Sequence, residues 1–163
     1  MEKTKSFKFA VLTASDRCSR GEAEDASGKL VDEMVKTIGG VLAAREIVPD
    51  ELPAIKEKLM HYCETLKVGV VFTTGGTGFS GRDVTPEATD AVIERAIPGF
   101  GELMRAEGLK QTRKAMLSRG ISGIRGNTII INLPGSPKAV KESLDAILDL
   151  IPHSLEMLAG GGH

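Results

Sequence analysis

An excess of positive charge is the first thing this chain lacks: its 21 Lys and Arg face 22 Asp and Glu, for a formal net charge of −1. Without a net positive field there is no sequence-independent pull toward phosphate backbones, so a generic nucleic-acid binder is disfavoured. Long apolar runs are missing too. None approaches the roughly 18 residues a membrane helix needs. The N-terminus enters a short strand-like run with no small-residue cleavage pattern, so the expected location is the cytoplasm, away from membranes. Cysteine is scarce: Cys18 and Cys63 lie far apart, fit no metal spacing and read as free thiols. His61, His153 and His163 are equally scattered, which leaves a zinc site nothing to stand on.

What the chain has is enough length for one full core. Its 163 residues suit a single domain covering 1–163. Glycine is abundant, 19 residues beside 41% apolar and 26% charged ones, against a usual glycine share of about 7%. In a chain this apolar the excess points to sites built from backbone, not to disorder.

Apolar residues from Phe7 to Ala14, interrupted only by Lys8 and Thr13, predict a first strand covered on both faces. Leu30, Val31, Met34, Val35 and Ile38 then recur at helical spacing after Ser27 and Gly28, with Gly39 and Gly40 as the stop. Residues 41–48 resume an extended pattern, Pro49 and Asp50 break it, and Ile55, Leu59, Cys63 and Leu66 mark a second helix. A third buried strand spans 68–74. Thr85 with Pro86 and Glu87 predicts the capped start of a third helix, and a further helical stretch over 100–117 is interrupted by Gly108. Gly126 and Asn127 predict a hairpin between 122–125 and 128–133, after which Ser136 and Pro137 open a last major helix ahead of a short tail. Strands alternating with helices across short turns require a mainly parallel sheet with helices on both faces. The predicted fold is α/β, a three-layer αβα sandwich with one late β-hairpin.

Ligands of such sheets gather where the strands end, which selects Ser15 with Asp16, Pro49 with Asp50, residues 75–85, and residues 133–136. Gly76, Gly78 and Gly81 spell a formal GxGxxG. The dinucleotide reading fails, because Arg82, Asp83 and Val84 separate the glycines from the helix and Glu94 falls in a helical pattern where a strand-end acid is needed. The loop does offer peptide N–H groups unobstructed by Cβ atoms, a shape suited to anionic oxygens, although a turn that needs only its geometry accounts for the glycines as well. Arg82 is either a phosphate clamp or a solvated charge. Asp50 and Asp83 would repel a phosphate unless a cation lay between. Mg²⁺ suits that position, because it takes one or two carboxylates and completes its shell with water and phosphate; as single residues both are also ordinary turn aspartates. Residues 118–125 and 132–136 supply further hydroxyl, amide and guanidinium donors, although hairpin, cap and turn chemistry accounts for them as well; among them Asn132 stands out as an amide at the end of an apolar strand. Glu94 and Arg95 read as a solvated helix face.

Six ordered blocks then carry a family likeness: TASDRCSRGEAEDASG (13–28), VPDE (48–51), TTGGTGFSGRDVTPEAT (73–89), PGFGELMR (98–105), AMLSRGISGIRG (115–126) and IINLPGSPKAVKE (130–142). Together they resemble the molybdopterin adenylyltransferase family of molybdenum-cofactor biosynthesis, including the corresponding domain of the plant and animal fusion proteins. The resemblance implies a cytosolic homotrimer that binds the dithiolene pterin and transfers AMP from MgATP to its terminal phosphate, releasing pyrophosphate. It makes Asp50 and Asp83 the essential aspartates, and the carboxylate chemistry above makes them the expected holders of Mg²⁺. The resemblance places Ser15, Asp16, Gly75, Gly76, Thr77, Gly78, Ser118, Asn132, Pro134 and Gly135 around the pterin and nucleotide, and Arg82 is expected to assist the leaving pyrophosphate. Hand-over of product to a molybdenum insertase is compatible with that scheme. A non-catalytic pterin-binding paralogue is the main alternative, and an unrelated nucleotide-binding oxidoreductase the second.

Overall fold

The computed structural model describes residues 5–161. Strand β1 (Phe7–Ala14) lies inside a six-stranded sheet with β2 (Gly40–Val48), β3 (Val70–Thr74), β4 (Arg95–Ala96), β5 (Ser122–Arg125) and β6 (Thr128–Leu133), in the order β2-β1-β3-β6-β5-β4. The first four of that order run parallel, while β5 and β4 are antiparallel to their neighbours.

The period of two explains the layers. Phe9, Val11, Val70, Phe72, Ile129 and Ile131 point to one face and meet helices α2 (Ala26–Lys36), α5 (Pro98–Leu109) and α6 (Pro137–Ile147). Ala10, Leu12, Val71 and Ile130 point to the other and pack on α3 (Leu52–Glu64) and α4 (Thr85–Asp90). Strands buried on both faces need uninterrupted apolar runs, which is the pattern of β1 and β6. The three-layer αβα architecture and the late hairpin are both present. At the hairpin, Gly126 has φ +57° while Asn127 keeps a negative φ, as expected of a two-residue turn with glycine first.

Several local expectations are corrected. Helix α2 starts earlier than Ser27 and Gly28, because Asp25 is its N-cap and accepts the Gly28 N–H. Thr85 is the first helical residue of α4, not its cap, and its hydroxyl bonds no backbone group of the helix. The stretch over 100–117 divides into α5 and a 3₁₀ turn, Arg113–Leu117. Residues of the expected tail form α7 (Ile151–Leu158), whereas Gly162 and His163 lie outside the described residues. A single turn, α1 (Asp16–Ser19), and the two-residue β4 were not anticipated: α1 is too short to show a period, and β4 is exposed. Glu94 sits at the entrance to β4, off any helix, and its carboxylate accepts the Gly126 N–H at 2.6 Å, fixing the hairpin turn.

Asn132 knits the middle of the sheet to α4. Its amide donates to Thr73 Oγ1 at 3.0 Å and Thr89 Oγ1 at 2.9 Å and accepts the Ile121 N–H at 3.1 Å, with the residue only 2% exposed. Without the amide the two hydroxyl oxygens lose a donor but keep their own O–H bonds to give, whereas the Ile121 N–H loses the acceptor it has. Asn132→Leu, similar in volume, is therefore expected to lose about 2 kcal/mol of stability in urea titration, the cost of a buried donor left unpaired; a loss under about 0.5 kcal/mol would show that the amide holds nothing.

Candidate active site

All four selected loops meet at the carboxyl edge of the sheet. Asp50 follows β2 and Asp83 lies beyond β3, so they do not come from neighbouring strands: β1 runs between, and its own loop joins them. The joint is reciprocal. The Asp16 N–H donates to Asp50 Oδ2 at 3.0 Å, and the Asp50 N–H donates to Asp16 Oδ1 at 2.9 Å. Ser15 caps α1 by accepting the Cys18 N–H, which turns the chain so that Asp16 faces Asp50.

Beyond β3 the backbone turns through Gly75 at φ +90° and Gly76 at φ +71°, conformations that L side chains avoid. Space closes the case. A Cβ on Gly75 would lie 2.3 Å from the Ala14 carbonyl oxygen, and one on Gly76 would lie 2.2 Å from Thr85 Oγ1 and 3.4 Å from Asp50 Oδ1. Thr85 Oγ1 and Asp50 Oδ1 are both buried and have no hydrogen-bond partner among the described residues. Two orphaned oxygens thus converge beside Gly76, one of them a carboxylate oxygen.

Arg82 reaches across the site and grips Asp16 with both arms, Nε to Oδ2 at 3.0 Å and Nη2 to Oδ1 at 2.9 Å. That guanidinium, followed by the Asp50 N–H, holds the Asp16 carboxyl below its ordinary range. Asp50 goes the other way. Burial pushes its carboxyl up, and the charges of Asp16 and Asp83 add to that, against the Asp16 N–H and Arg82. Asp83 is fixed differently, with Oδ2 accepting the Ser80 N–H at 2.9 Å.

Two clefts flank this cluster. One of about 370 Å³ is lined by Thr77, Gly78, Ser118, Asn132 and Pro134, together with Arg105, Lys114 and Glu142. The other, about 240 Å³, is lined by Ser15, Gly75 and Gly135 with Thr13, Asp25 and Ser27. Gly76 parts them along the chain. Asn132 contributes its surface to the first cleft while its amide is committed to Thr73, Thr89 and Ile121. The turn 134–135 is anchored from below, since Thr74 Oγ1 donates to the Pro134 carbonyl and Ser27 Oγ to the Gly135 carbonyl, each at 2.6 Å. Among the described residues no group of three or more His, Cys, Asp or Glu side chains could hold a metal. A two-carboxylate Mg²⁺ site that takes its other ligands from phosphate and water needs no such group, and the unpaired Asp50 Oδ1 fits it.

The model of a family described as a probable molybdopterin binding domain matches residues 10–153. The chain belongs to that family. Of its curated relatives, the molybdopterin adenylyltransferase of Helicobacter pylori strain 26695 is 44% identical over 154 residues, covering 93% of this chain and 88% of the relative. The molybdenum cofactor synthesis protein cinnamon of Drosophila melanogaster is 43% identical over 94% of this chain, which spans 26% of that longer protein. Among solved structures, the molybdopterin biosynthesis enzyme MoaB of Thermus thermophilus superposes with a TM-score of 0.90 at 45% identity, over 94% of this chain and 97% of that one.

In this molybdopterin-binding domain, sequence reasoning passed over two cationic residues, Arg105 and Lys114, which line the larger cleft. Arg119, one of the guanidinium donors of residues 118–125, spends its fork on the glycine loop. Nothing in their spacing marks these roles, since each depends on a chain crossing. Cys63 is no nucleophile: burial pushes its thiol up to about 11, so it stays protonated.

The elevated Asp50 carboxyl has a thermodynamic consequence. A folded-state value above the ordinary 3.8 means that the folded protein binds the proton more tightly than the unfolded chain. The associated stability is complete below the ordinary value and is lost as pH rises through the folded one. Asp50→Asn, which removes the ionisation, is expected to raise the melting temperature at neutral pH without divalent cation, and the gain should vanish on acidification below the ordinary value. A variant that is equally destabilised at both pH values would refute the burial account.

Proposed function

We propose that this protein is a molybdopterin adenylyltransferase, which transfers AMP from MgATP to the terminal phosphate of molybdopterin and releases pyrophosphate. The observation that carries the reading is the convergence of Asp50, Asp83 and the Gly75–Gly76 turn beside two clefts, in a chain 44% identical to an enzyme of that name. The larger cleft takes the pterin, with Arg105 and Lys114 as its cationic groups and Ser118 and Thr77 as hydroxyl donors; the smaller takes the nucleotide.

In the reaction, an oxygen of the acceptor phosphate attacks the α-phosphorus of ATP in line, and the bond to the departing pyrophosphate breaks. No side-chain nucleophile takes part. The carbonyls of Gly76, Thr77 and Gly78 are already taken by the Thr85 N–H, the Arg119 N–H and Arg119 Nε. What the turn offers a ligand is therefore its peptide N–H groups, donors for phosphate oxygens. Asp50 and Asp83 would hold Mg²⁺, which when bound offsets the repulsion between carboxylates and phosphates and stabilises the charge of phosphoryl transfer. Arg82, released from Asp16, is in reach of the same region and neutralises the leaving group. The chain thus contributes alignment and charge, as is general for such transfers.

The proposal extends to the surroundings. The enzyme works in the cytoplasm as a homotrimer, and it passes product to a molybdenum insertase. An apolar groove of about 530 Å³, bordered by Ile97, Ile124, Leu150 and Met157, offers a face for subunit contact. No helix among the described residues is long and apolar enough to cross a membrane.

Asp83→Asn is expected to cut AMP transfer from labelled ATP to molybdopterin by about 100-fold or more, in the range of lost charge stabilisation at a transferring phosphate. Molybdopterin affinity, read by equilibrium binding, should change less than about threefold, since Asp83 is absent from the larger cleft's lining. Unchanged turnover removes the metal role from Asp83, and wild-type protein that binds pterin without any transfer favours the binding paralogue.

A further inference from the structure

The loop that carries Asp83 has no hydrophobic anchorage. Residues 79–82 are exposed, and Phe79, at 73%, is the most exposed large apolar side chain among the described residues. Gly81 has nothing near its Cβ position. Internally the loop has the Asp83 N–H to Ser80 carbonyl bond and the Ser80 N–H to Asp83 carboxylate bond, 2.9 Å each. Bonds of this kind at an exposed site exchange readily with water and do not by themselves hold a loop in place.

At the tip, Arg82 reaches Asp16 through an ion pair more than half exposed on its arginine side, and the two feet are joined by Arg119. Its Nε donates to the Gly78 carbonyl at 2.8 Å and its Nη2 to the Asp83 carbonyl at 2.8 Å, so one planar group ties the two feet of the loop together. Its own N–H donates to the Thr77 carbonyl at 3.0 Å. Glu87, in the first turn of α4, receives Nη1 at 2.9 Å and Nη2 at 3.0 Å and sets the plane of the fork. The Glu87 pair is half exposed, so its charge attraction counts for little; the directed bonds to carbonyls carry the effect. Along the chain Arg119 sits between Ser118 and Gly120, both in the wall of the larger cleft.

We propose that Arg119 is a positioning residue that fixes the Asp83 carboxylate for Mg²⁺ and couples its placement to the wall of the larger cleft. This rests on the adenylyl-transfer reading above. Arg119 touches neither reacting atoms nor metal; it acts through the two carbonyls. Lysine cannot replace it, because a single ammonium cannot bridge Gly78 and Asp83 in the fixed geometry of a guanidinium.

Arg119→Gln and Arg119→Lys test this in the full-length protein. Three readouts are needed: amide exchange of the metal-free protein, Mn²⁺ binding by calorimetry, and the Mg²⁺ dependence of transfer. The Ser80 and Asp83 amides should exchange roughly tenfold faster in both variants while β3 amides stay protected. Mn²⁺ affinity and turnover should each fall by about 10- to 100-fold, as for groups that orient a metal ligand. Millimolar guanidinium should restore part of the turnover of Arg119→Gln and none of that of Asp83→Asn. Should Arg119→Gln fail to fold, Arg119→Lys and Glu87→Gln carry the same comparison, with Glu87→Gln expected to show the weaker version of each change. Normal Ser80 exchange and metal affinity in a folded Arg119 variant overturn the proposal. The parent reading fails separately: in that case Asp83→Asn keeps wild-type metal affinity and turnover, whatever the Arg119 variants do.

Discussion

Everything at the carboxyl edge depends on one close approach. The chain leaving β3 passes so near the end of β1 that a methyl group on Gly75 would overlap the Ala14 carbonyl, and the next residue sits as tightly against Thr85 and Asp50. Both residues adopt positive φ, which only glycine accepts without strain. Because the turn is this tight, the β3 loop passes beside Asp50 where a wider turn would carry it out over solvent. The β1 loop then meets Asp50 through two reciprocal bonds, each residue's N–H donating to the other's carboxylate. Three loops are thereby held together by backbone geometry and two carboxylates, with little help from apolar packing.

The same approach creates an electrostatic problem that the fold leaves open. Asp16, Asp50 and Asp83 crowd one region with Arg82 as the cation among them, and Arg82 is spent on Asp16. The result is visible in opposite directions at two neighbouring carboxylates: Asp16 is stabilised as an anion, Asp50 is penalised. A purely structural aspartate would find donors for both oxygens. Asp50 finds one and keeps Oδ1 buried and unpaired. Natural folds carry such a cost where a ligand relieves it, and a divalent cation arriving with a polyphosphate is the chemistry that relieves two carboxylates at once.

How much of this could be read from the chain follows the range of the interactions. The first strand, the hairpin and the Ser136 cap were legible because each is encoded within a few residues: a continuous apolar run, Gly-Asn between β-branched arms, a hydroxyl before Pro137. The starts of α2 and α4 were misplaced by one or two residues: Asp25 caps α2 ahead of the expected Ser27 and Gly28, and Thr85, a good cap by type, has its hydroxyl beside Gly76. That the aspartates and the glycine turn share one edge of the sheet was legible; the reciprocal Asp16–Asp50 bonds were not, being 34 residues apart. Arg119 was legible as a guanidinium donor but its target was not, and Glu94 read as a solvated helix face. Each holds a turn more than 30 residues away in sequence, and only the sheet order brings them there.

That division has a mechanical side. The inner turn at Gly75 and Gly76 is rigid by exclusion, with no room to move against Ala14, whereas the outer loop from 78 to 83 is held by polar bonds around Arg119 and buries little. Packing cannot release a group without opening a cavity in the core, but a loop held by directed bonds can open locally while the sheet stays intact. An enzyme that must align two phosphates and then let a bulky pyrophosphate leave needs both behaviours in one site. A rigid inner turn beside Asp50 and a polar-clamped outer loop carrying Asp83 combine the two: Arg119 ties the outer loop through the Gly78 and Asp83 carbonyls, whereas Asp50 lies against the inner turn with its carboxylate penalised by burial.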